Sequence, residues 1–457
     1  MRPVVRLVVL GFVMALSHRF TAAGPLEARA TLALGFLIVA AYVAGTIAQR
    51  VRLPRIVGFL VAGFVAGPAW LELVRGDELQ ALGPIASGAL ALIAFAAGSE
   101  LTLEALRGER RTVILRIAAG AMAVPFIAIT MVVLTVSAWF PLTAHQPFED
   151  ALTVALALGA LATVASPTVT WAVISDLDTT GPLSSTIRDV TIVQAAAAAL
   201  LLIVVLALAL PLASPGAVAP GIATHALLIL GGSIAAGGAL GFAAAQYVRA
   251  IQGHLEWVLL VLAFIVFQAV RLVGLDAVLI ALAAGCTLRN AAPVESERIR
   301  AELKRCAVPV YVVFFALAGS TLRLDALADI WPWALLLVGL RATGLWAGLR
   351  WAGRHQAVSP DLVNYGWLGL VSQGGLAITL GAVLRRAFPE WNVSLEALVV
   401  AMIGVHQLAG PICFQWALRR AGELTVVGGT HVRESPGTAD DGTADVVAGG
   451  RSVYEGS

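Results

Sequence analysis

Long apolar runs separated by short polar stretches make up most of this chain of 457 residues. From Ala28 onward, about thirteen of these runs are long enough to span or nearly span a hydrocarbon core of about 30 Å. Their extents, in chain order, are 28–48, 55–71, 85–105, 112–138, 150–175, 186–212, 222–248, 255–272, 275–289, 307–324, 331–352, 364–386 and 394–418. The pattern predicts an all-α polytopic membrane protein with about 13 transmembrane helices.

Two of these runs contain residues that interrupt a helix. The fifth run contains Ala165-Ser166-Pro167-Thr168, and the twelfth contains Ser372-Gln373-Gly374-Gly375. Proline removes a backbone donor and clashes with the preceding turn, so Pro167 frees backbone groups that hydrocarbon cannot satisfy. Transporters with inverted repeats carry broken helices in corresponding positions of their two halves, near the bilayer midplane. We therefore expect both breaks to lie against a cavity or against other parts of the protein.

The two ends of the chain differ from residues 28–418, which we expect to form one transmembrane domain. Residues 1–27 have two arginines before an apolar run and small residues after it, which is the layout of a signal peptide. An extra membrane segment and a misassigned start codon are the alternative interpretations. Residues 419–457 are rich in Gly, Thr, Ala and Asp, so we expect a disordered cytoplasmic tail.

Basic residues are concentrated in alternate loops, and this asymmetry predicts the orientation in the membrane. The loops expected on the cytoplasmic side contain Arg50, Arg52, Arg55, Arg107, Arg110, Arg111, Arg289, Arg298, Arg300, Lys304 and Arg305. Loops 139–149 and 213–221 contain no Lys or Arg and are expected outside, whereas Arg385 and Arg386 do not fit the pattern. The C-terminus is then cytoplasmic, and we expect multi-pass insertion into the inner (plasma) membrane.

Composition excludes several classes of protein. With 59% hydrophobic residues, 13% charged residues and a mean hydropathy of +0.88, the chain cannot pack as a soluble domain. Its arginines are scattered between apolar runs and form no stripe, so nucleic acid is not an expected partner. The three cysteines have no metal-type spacing, and no nucleophile with a base or phosphate loop is present. We therefore expect no enzyme activity, no cofactor and no metal site.

Several short motifs resemble those of one transporter family, the monovalent cation:proton antiporters of the second cation/proton antiporter branch. In chain order, they are Leu53-Pro54-Arg55-Ile56-Val57-Gly58 continuing to Gly63 and Gly67-Pro68, Ala97-Gly98-Ser99-Glu100-Leu101, Phe314-Phe315-Ala316-Leu317-Ala318-Gly319, Gln373-Gly374-Gly375-Leu376-Ala377 and Gly410-Pro411. The small residues of the first motif allow helix backbones to approach closely. The resemblance covers essentially the whole membrane region.

The resemblance implies a pair of inverted five-helix repeats, two crossing broken helices and a dimerisation domain, and hence a homodimer in the lipid bilayer. It also implies proton-coupled antiport of a monovalent cation, Na+ or K+, by elevator-like alternating access. The family keeps acidic residues in the middle of the sixth helix, and a Lys or Arg that pairs with them at the position of Arg341 in this sequence.

The chain departs from the family at the acidic position, which falls on Val193-Gln194. Glutamine has no accessible protonation change, so the family's chemistry does not carry over to this position. Asp189 lies one helical turn earlier, about 6 Å toward the cytoplasm. One interpretation makes Asp189 the relocated carboxylate that exchanges protons and ions. The other makes it an acid at a helix start beside Arg188, stabilised by the helix dipole.

Arg341 lies in the middle of an apolar run, about ten residues from either end, too deep to reach the lipid headgroups. An intramembrane arginine indicates a functional site and requires compensation of its charge. We expect a negative counterpart, which is Asp189, another acid such as Asp276 or Glu100, or a bound anion. Asp276 is alternatively a helix cap. Glu100 is alternatively a member of an interfacial ion pair with its neighbours Glu104 and Arg107.

Polar side chains at and near the breaks are the remaining candidates. Thr163, Ser166, Gln194 and Gln373 either coordinate a dehydrated ion together with freed carbonyl groups or only satisfy the crossing backbone. His406 reads as an interhelical hydrogen-bonding residue. The sequence is also compatible with two other functions. One is a carrier for an anion or organic solute that binds at Arg341 and Gln194, and the other is a transport-inactive membrane scaffold or sensor.

Overall fold

The computed structural model describes residues 2–21, 24–144, 146–213, 219–250, 261, 264–266, 272–321, 330–354, 358–387 and 392–424. Regular structure within these ranges is entirely helical. Every predicted apolar run except the eighth contains a described helix. The eighth run, 255–272, lies mostly outside the described residues, as does the predicted tail from residue 425 onward.

Most helices begin and end close to the predicted bounds, except that the one containing most of the run 307–324 begins at Pro293 and so includes Arg298, Arg300, Lys304 and Arg305, which the apolar pattern places in a loop. In chain order they are α1 (Arg2–Thr21), α2 (Leu26–Arg50), α3 (Arg55–Ala66), α4 (Gly76–Ala81), α5 (Gly83–Gly98), α6 (Gly108–Thr135), α7 (Phe148–Ala162), α8 (Pro167–Asp176), α9 (Pro182–Ala213), α10 (Ala219–Ala250), α11 (Ala277–Ala291), α12 (Pro293–Ser320), α13 (Trp331–Ala352), α14 (Pro360–Gly369), α15 (Gly375–Ala387) and α16 (Asn392–Arg420).

Within the described ranges, nine helical segments are long and apolar enough to cross a bilayer, counting α7 and α8 together. The helices α3, α5 and α11 are shorter apolar helices. The N-terminal segment forms the helix α1, which packs against α2 and is otherwise largely exposed. The chain is therefore a multi-pass membrane protein, as the apolar pattern predicts.

The helices form two packed groups, which we call the panel and the core. The panel consists of α2, α3, α5, α10, α11 and α12, and the core consists of α6, α7, α8, α9, α13, α14, α15 and α16. Panel helices approach closely where glycines face each other. A Cβ atom added at Gly63 of α3 would collide with the Ala316 carbonyl group of α12, and one at Gly319 with that of Leu60. Small residues thus permit the close packing that the sequence predicts.

Both predicted helix breaks are present and they meet in the core. α7 ends at Ala162 and α8 begins at Pro167, with Ser166 as the N-cap residue; α14 ends at Gly369 and α15 begins at Gly375. Pro167 occupies the first helical turn, where its missing N–H needs no partner.

The two breaks are joined directly. The backbone N–H of Ser166 donates to the carbonyl oxygen of Ser372 at 2.9 Å. A Cβ atom at Gly374 would collide with the Ser166 side chain, and one at Gly375 would press against Leu90. The glycines of the second break therefore allow the two broken helices to cross, and the half-helices α8 and α15 also contact the panel.

Candidate functional site

Arg341 of α13 lies at the centre of the crossing and is fully buried. Its Nε donates to the carbonyl oxygen of Ala162 at 2.8 Å, and its Nη2 to those of Val164 at 2.7 Å and Leu370 at 3.0 Å. Its Nη1 donates to the carbonyl oxygen of Val371 at 2.6 Å. The guanidinium group therefore satisfies two carbonyl groups from each break.

This geometry corrects the expectation that Arg341 needs a negative counterpart. The ends of α7 and α14 leave carbonyl groups without helical partners, and these carry the partial negative charge of a helix C-terminus. Arg341 is compensated by those carbonyl groups instead of by an acid. Asp189, one of the candidate counterparts, does not pair with Arg341, because the Asp189 carboxylate binds Arg110 and Arg188.

Two glutamines complete the contacts with the first break. Gln194 of α9 is fully buried, and its Nε2 donates to the carbonyl oxygen of Thr163 at 2.6 Å. The Nε2 of Gln373 donates to that of Leu161 at 3.2 Å, while its Oε1 lies 3.0 Å from Nδ1 of His406. His406 therefore forms a hydrogen bond as expected, but its partner lies in the second helix break and not on a neighbouring helix.

Two buried atoms of this cluster, Gln194 Oε1 and His406 Nε2, have no hydrogen-bond partner within the described part of the chain. A buried oxygen such as Gln194 Oε1 costs free energy unless a water molecule, a proton donor or a cation approaches it. Gln194 thus contributes a donor to the helix break and keeps an acceptor oxygen that has no donor.

The hydroxyl groups at the first break serve the backbone. Thr163 Oγ1 donates to the carbonyl oxygen of Ala160 at 2.7 Å. Ser166 Oγ accepts from the backbone N–H of Val169 at 3.3 Å and lies 3.0 Å from Thr168 Oγ1. The structural role expected of Thr163 and Ser166 is therefore observed in this arrangement.

Asp189 lies in a separate cluster of charged residues near the predicted cytoplasmic side. Its carboxylate is 1% exposed, with Oδ2 at 2.6 Å from Arg110 Nη2 and Oδ1 at 3.1 Å from Arg188 Nε. Arg188 Nη1 lies 2.9 Å from Glu100 Oε2, and Arg300 pairs with the other oxygen of Glu100. The side chain of Arg110 is 46% exposed, so one partner of the buried carboxylate is open to solvent.

This cluster joins the two helix groups. Arg110 and Arg188 belong to the core, whereas Glu100, which follows α5, and Arg300 of α12 belong to the panel. Glu100 is an ion-pair residue as predicted, but its partners are Arg188 and Arg300, not the sequence neighbours expected for it. Sequence reasoning misses Arg110 as a partner of Asp189, because its place among the basic residues of a predicted loop indicates only the orientation in the membrane.

Asp276 caps α11, as the sequence predicts. Its Oδ1 accepts from the backbone N–H of Leu279 at 2.7 Å. Groups of three or more His, Cys, Asp or Glu side chains that could hold a metal ion do not occur in the described part of the chain. The site therefore has two parts. One is the crossing of the helix breaks, where Arg341 binds both breaks and Gln194 Oε1 has no donor. The other is the buried carboxylate of Asp189, which binds the guanidinium groups of Arg110 and Arg188.

Comparison with known proteins identifies the family. A family model described as the transmembrane sodium/hydrogen exchanger matches residues 8–419, and the chain belongs to this family of membrane transporters. No curated protein sequence gives a significant match.

The fold resembles that of a solved antiporter. A structure of the sodium proton antiporter MjNhaP1 from Methanocaldococcus jannaschii at pH 8 superposes with a TM-score of 0.64 and 16% identity. The match covers 89% of this chain and 100% of that one. An electron-microscopy structure of the same antiporter gives 0.64 and 16%, over 88% and 98% of the two chains. At this identity the likeness shows the fold, which agrees with the predicted pair of crossing broken helices.

Proposed function

We propose that the chain performs proton-coupled antiport of a monovalent cation, Na+ or K+, with Asp189 as the carboxylate that exchanges its partners. The burial of that carboxylate and the exposure of one of its partners support the proposal. The carboxylate is fully buried, and one of its two guanidinium partners, Arg110, is about half exposed. A small cation that enters from the cytoplasmic side can replace Arg110 at Oδ2, because both partners supply one positive charge to the same oxygen.

Gln194 extends the cation path toward the crossing. It follows Asp189 by five residues, about 7.5 Å along α9. A cation that leaves Asp189 finds the unused Oε1 of Gln194 as its next ligand, with the polar groups of Thr163, Ser166 and Gln373 nearby at the breaks. The positive charge of Arg341 repels the transported cation from the four carbonyl groups that Arg341 binds. This repulsion limits the time that the cation stays at the crossing.

Elevator-like movement of the core against the panel supplies access to the two sides. The helix packing is consistent with this, because the two groups meet through α9 against α10, through the half-helix α8 against α5, and through separable polar contacts. One such contact is the ion pair of Arg55 with Asp176 at 2.7 Å, and another is that of Glu100 with Arg188. We further propose a homodimer in the inner (plasma) membrane, with the C-terminus in the cytoplasm.

A carrier for an anion or an organic solute is the competing function. It would use Arg341 as the anion ligand. A guanidinium group has five N–H donors, and Arg341 forms four hydrogen bonds to carbonyl oxygens. Too few donors remain for bidentate recognition of a carboxylate or a halide, so the geometry favours the cation.

Proton flux in proteoliposomes tests the proposal. A pH-sensitive dye inside the vesicles reports proton movement while cations and anions are added outside one at a time, with protein-free vesicles as the control. Flux that follows Na+ or K+ and ignores halides and carboxylates is expected. Flux that follows anions would establish the carrier instead, and silence under every gradient with folded protein would establish the inactive scaffold.

A further inference from the structure

A second buried carboxylate lies at the boundary between panel and core, away from the Arg341 crossing. Asp276 is 3% exposed and its two oxygens have different partners. Oδ1 caps the panel helix α11 through Leu279, whereas Oδ2 accepts the Thr379 hydroxyl of the core half-helix α15 at 2.6 Å. One carboxylate thus holds its own helix and also binds the opposite helix group.

The anchoring of Asp276 in the panel is firm. Its backbone N–H donates to Ser233 Oγ of α10 at 2.8 Å, and Ser233 in turn donates to the carbonyl oxygen of Ile229 at 2.5 Å. Thr379 has an alternative acceptor, because its hydroxyl lies 3.4 Å from the carbonyl oxygen of Gly375 on its own helix. When core and panel separate, Thr379 keeps a partner and Asp276 Oδ2 loses one.

A carboxylate oxygen without a donor in apolar surroundings is costly, and taking up a proton removes that cost. We propose that Asp276 is a proton-binding group of the exchange cycle, which takes up its proton when movement of the core removes Thr379 from it. The inference rests on the proposed antiport, since it requires that the core moves. By the predicted orientation, α11 begins at the outer side, so the proton is exchanged with the outer medium.

The charged and titratable groups on the surrounding helices define the setting. α5 has no titratable residue, and the outer halves of α10, α12 and α15 are poor in them. The titratable residues in these outer halves are His225, Tyr311, Arg385 and Arg386. The nearest titratable residue before Asp276 in the chain is Arg271. Arg271 lies outside the described residues, as do the side chains of His225, Arg385 and Arg386. The proposal depends on the hydrogen bond with Thr379 and not on the absence of a cation.

Labelling with dicyclohexylcarbodiimide tests the proposal independently of transport. This apolar reagent adds a protonated carboxyl group across one of its C=N bonds, so all atoms of both reactants are retained in the adduct. The full-length protein in proteoliposomes is labelled at acidic and at alkaline pH, and the adduct at Asp276 is quantified by mass spectrometry. The variants are T379V, which removes the donor to Oδ2, and the matched S233A, which removes a contact that does not involve the carboxylate.

Acid-dependent labelling of Asp276 that rises about tenfold in T379V, and stays at the wild-type level in S233A, is the expected result. Equal labelling in T379V, S233A and wild type would overturn the proposal. In flux measurements, D276N keeps the cap because Asn also caps helices, and it should flatten the pH profile of exchange. A wild-type pH profile in D276N would likewise overturn it, whereas wild-type protein without any cation-coupled flux would instead refute the proposed antiport.

Discussion

Arg341 donates from Nη1 to the carbonyl oxygen of Val371 at 2.6 Å, inside the second helix break. The same guanidinium group binds Ala162 and Val164 in the first break. One buried cation therefore joins both broken helices by occupying carbonyl groups that hydrocarbon would leave unsatisfied. It follows that Arg341 holds the crossing together, and we propose that the exchangeable charge lies elsewhere, at Asp189.

Replacement of Arg341 should damage stability first. R341A leaves four buried carbonyl oxygens without donors, and each unsatisfied acceptor costs about 1–3 kcal/mol. R341K should be intermediate, because an ammonium group cannot reproduce the planar fork that spans both breaks. Thermal unfolding of the purified protein in detergent measures the effect. We expect R341K to lower the melting temperature, and R341A to lower it further.

A double substitution separates this role from a pairing with Asp189. Because Arg341 and Asp189 have different partners, the destabilisation caused by R341K and D189N should add to within about 0.5 kcal/mol. A coupling well above that value would show that the two side chains interact, contrary to the hydrogen bonds described above.

Gln194 offers a test of the cation path. Q194E keeps an oxygen at the Oε1 position and adds a negative charge, while Q194M removes the oxygen. Both variants lose the Nε2 donor to Thr163, so the comparison between them isolates the acceptor. We expect at least about tenfold tighter apparent cation binding in Q194E than in Q194M, or about 1.4 kcal/mol. Equal Michaelis constants for proton-coupled cation uptake would exclude Gln194 as a cation ligand.

The ion pair between Glu100 and Arg188 joins panel and core, so the elevator-like movement that we propose has to break it. E100Q should therefore increase the exchange rate at saturating cation by about two- to tenfold, which corresponds to a barrier lower by about 0.4–1.4 kcal/mol. E297Q is the matched control, because Glu297 is 62% exposed and pairs with Arg289 and Arg300 within the panel. If E100Q and E297Q gave the same rate, the Glu100 contact would have no part in the movement.

Glu423 secures the start of α9, the helix that contains Asp189 and Gln194. Its Oε1 accepts from the backbone N–H of Leu183 at 2.5 Å, and its Oε2 from that of Ser184 at 2.9 Å. Loss of such a cap costs about 0.5–2 kcal/mol. E423A should lower the melting temperature and E423Q should lower it less. E302A serves as the control, since Glu302 forms an exposed pair with Arg305, and an equal effect in E302A would count against the cap.

Local sequence signals predicted the helix breaks and the cap. Pro167 and Gly374-Gly375 interrupt helices through the backbone properties of proline and glycine, and Asp276 caps the helix that it precedes. The depth of Arg341 was also evident from its position within an apolar run. All of these features depend on residues close together in the chain.

The partners of the charged residues could not be predicted in the same way. Asp189 binds Arg110, 79 residues earlier, and no pattern in the chain distinguishes Arg110 from its basic neighbours. The partners of Arg341 are backbone carbonyl groups, which every residue possesses, so a search among acidic side chains could not find them. Only the crossing of two broken helices brings these groups to one point.

Cation uptake by the wild type, D189N and R110Q tests most directly the claim that Asp189 is the exchanging carboxylate. The initial rate of radioactive Na+ uptake, or of Rb+ as a substitute for K+, is measured into acid-loaded proteoliposomes against external cation. Wild type should saturate and D189N should show no proton-coupled uptake. R110Q should saturate at about tenfold lower concentration, because Arg110 no longer competes for Oδ2 of Asp189. D189N that matches wild type in both rate and Michaelis constant would contradict the account.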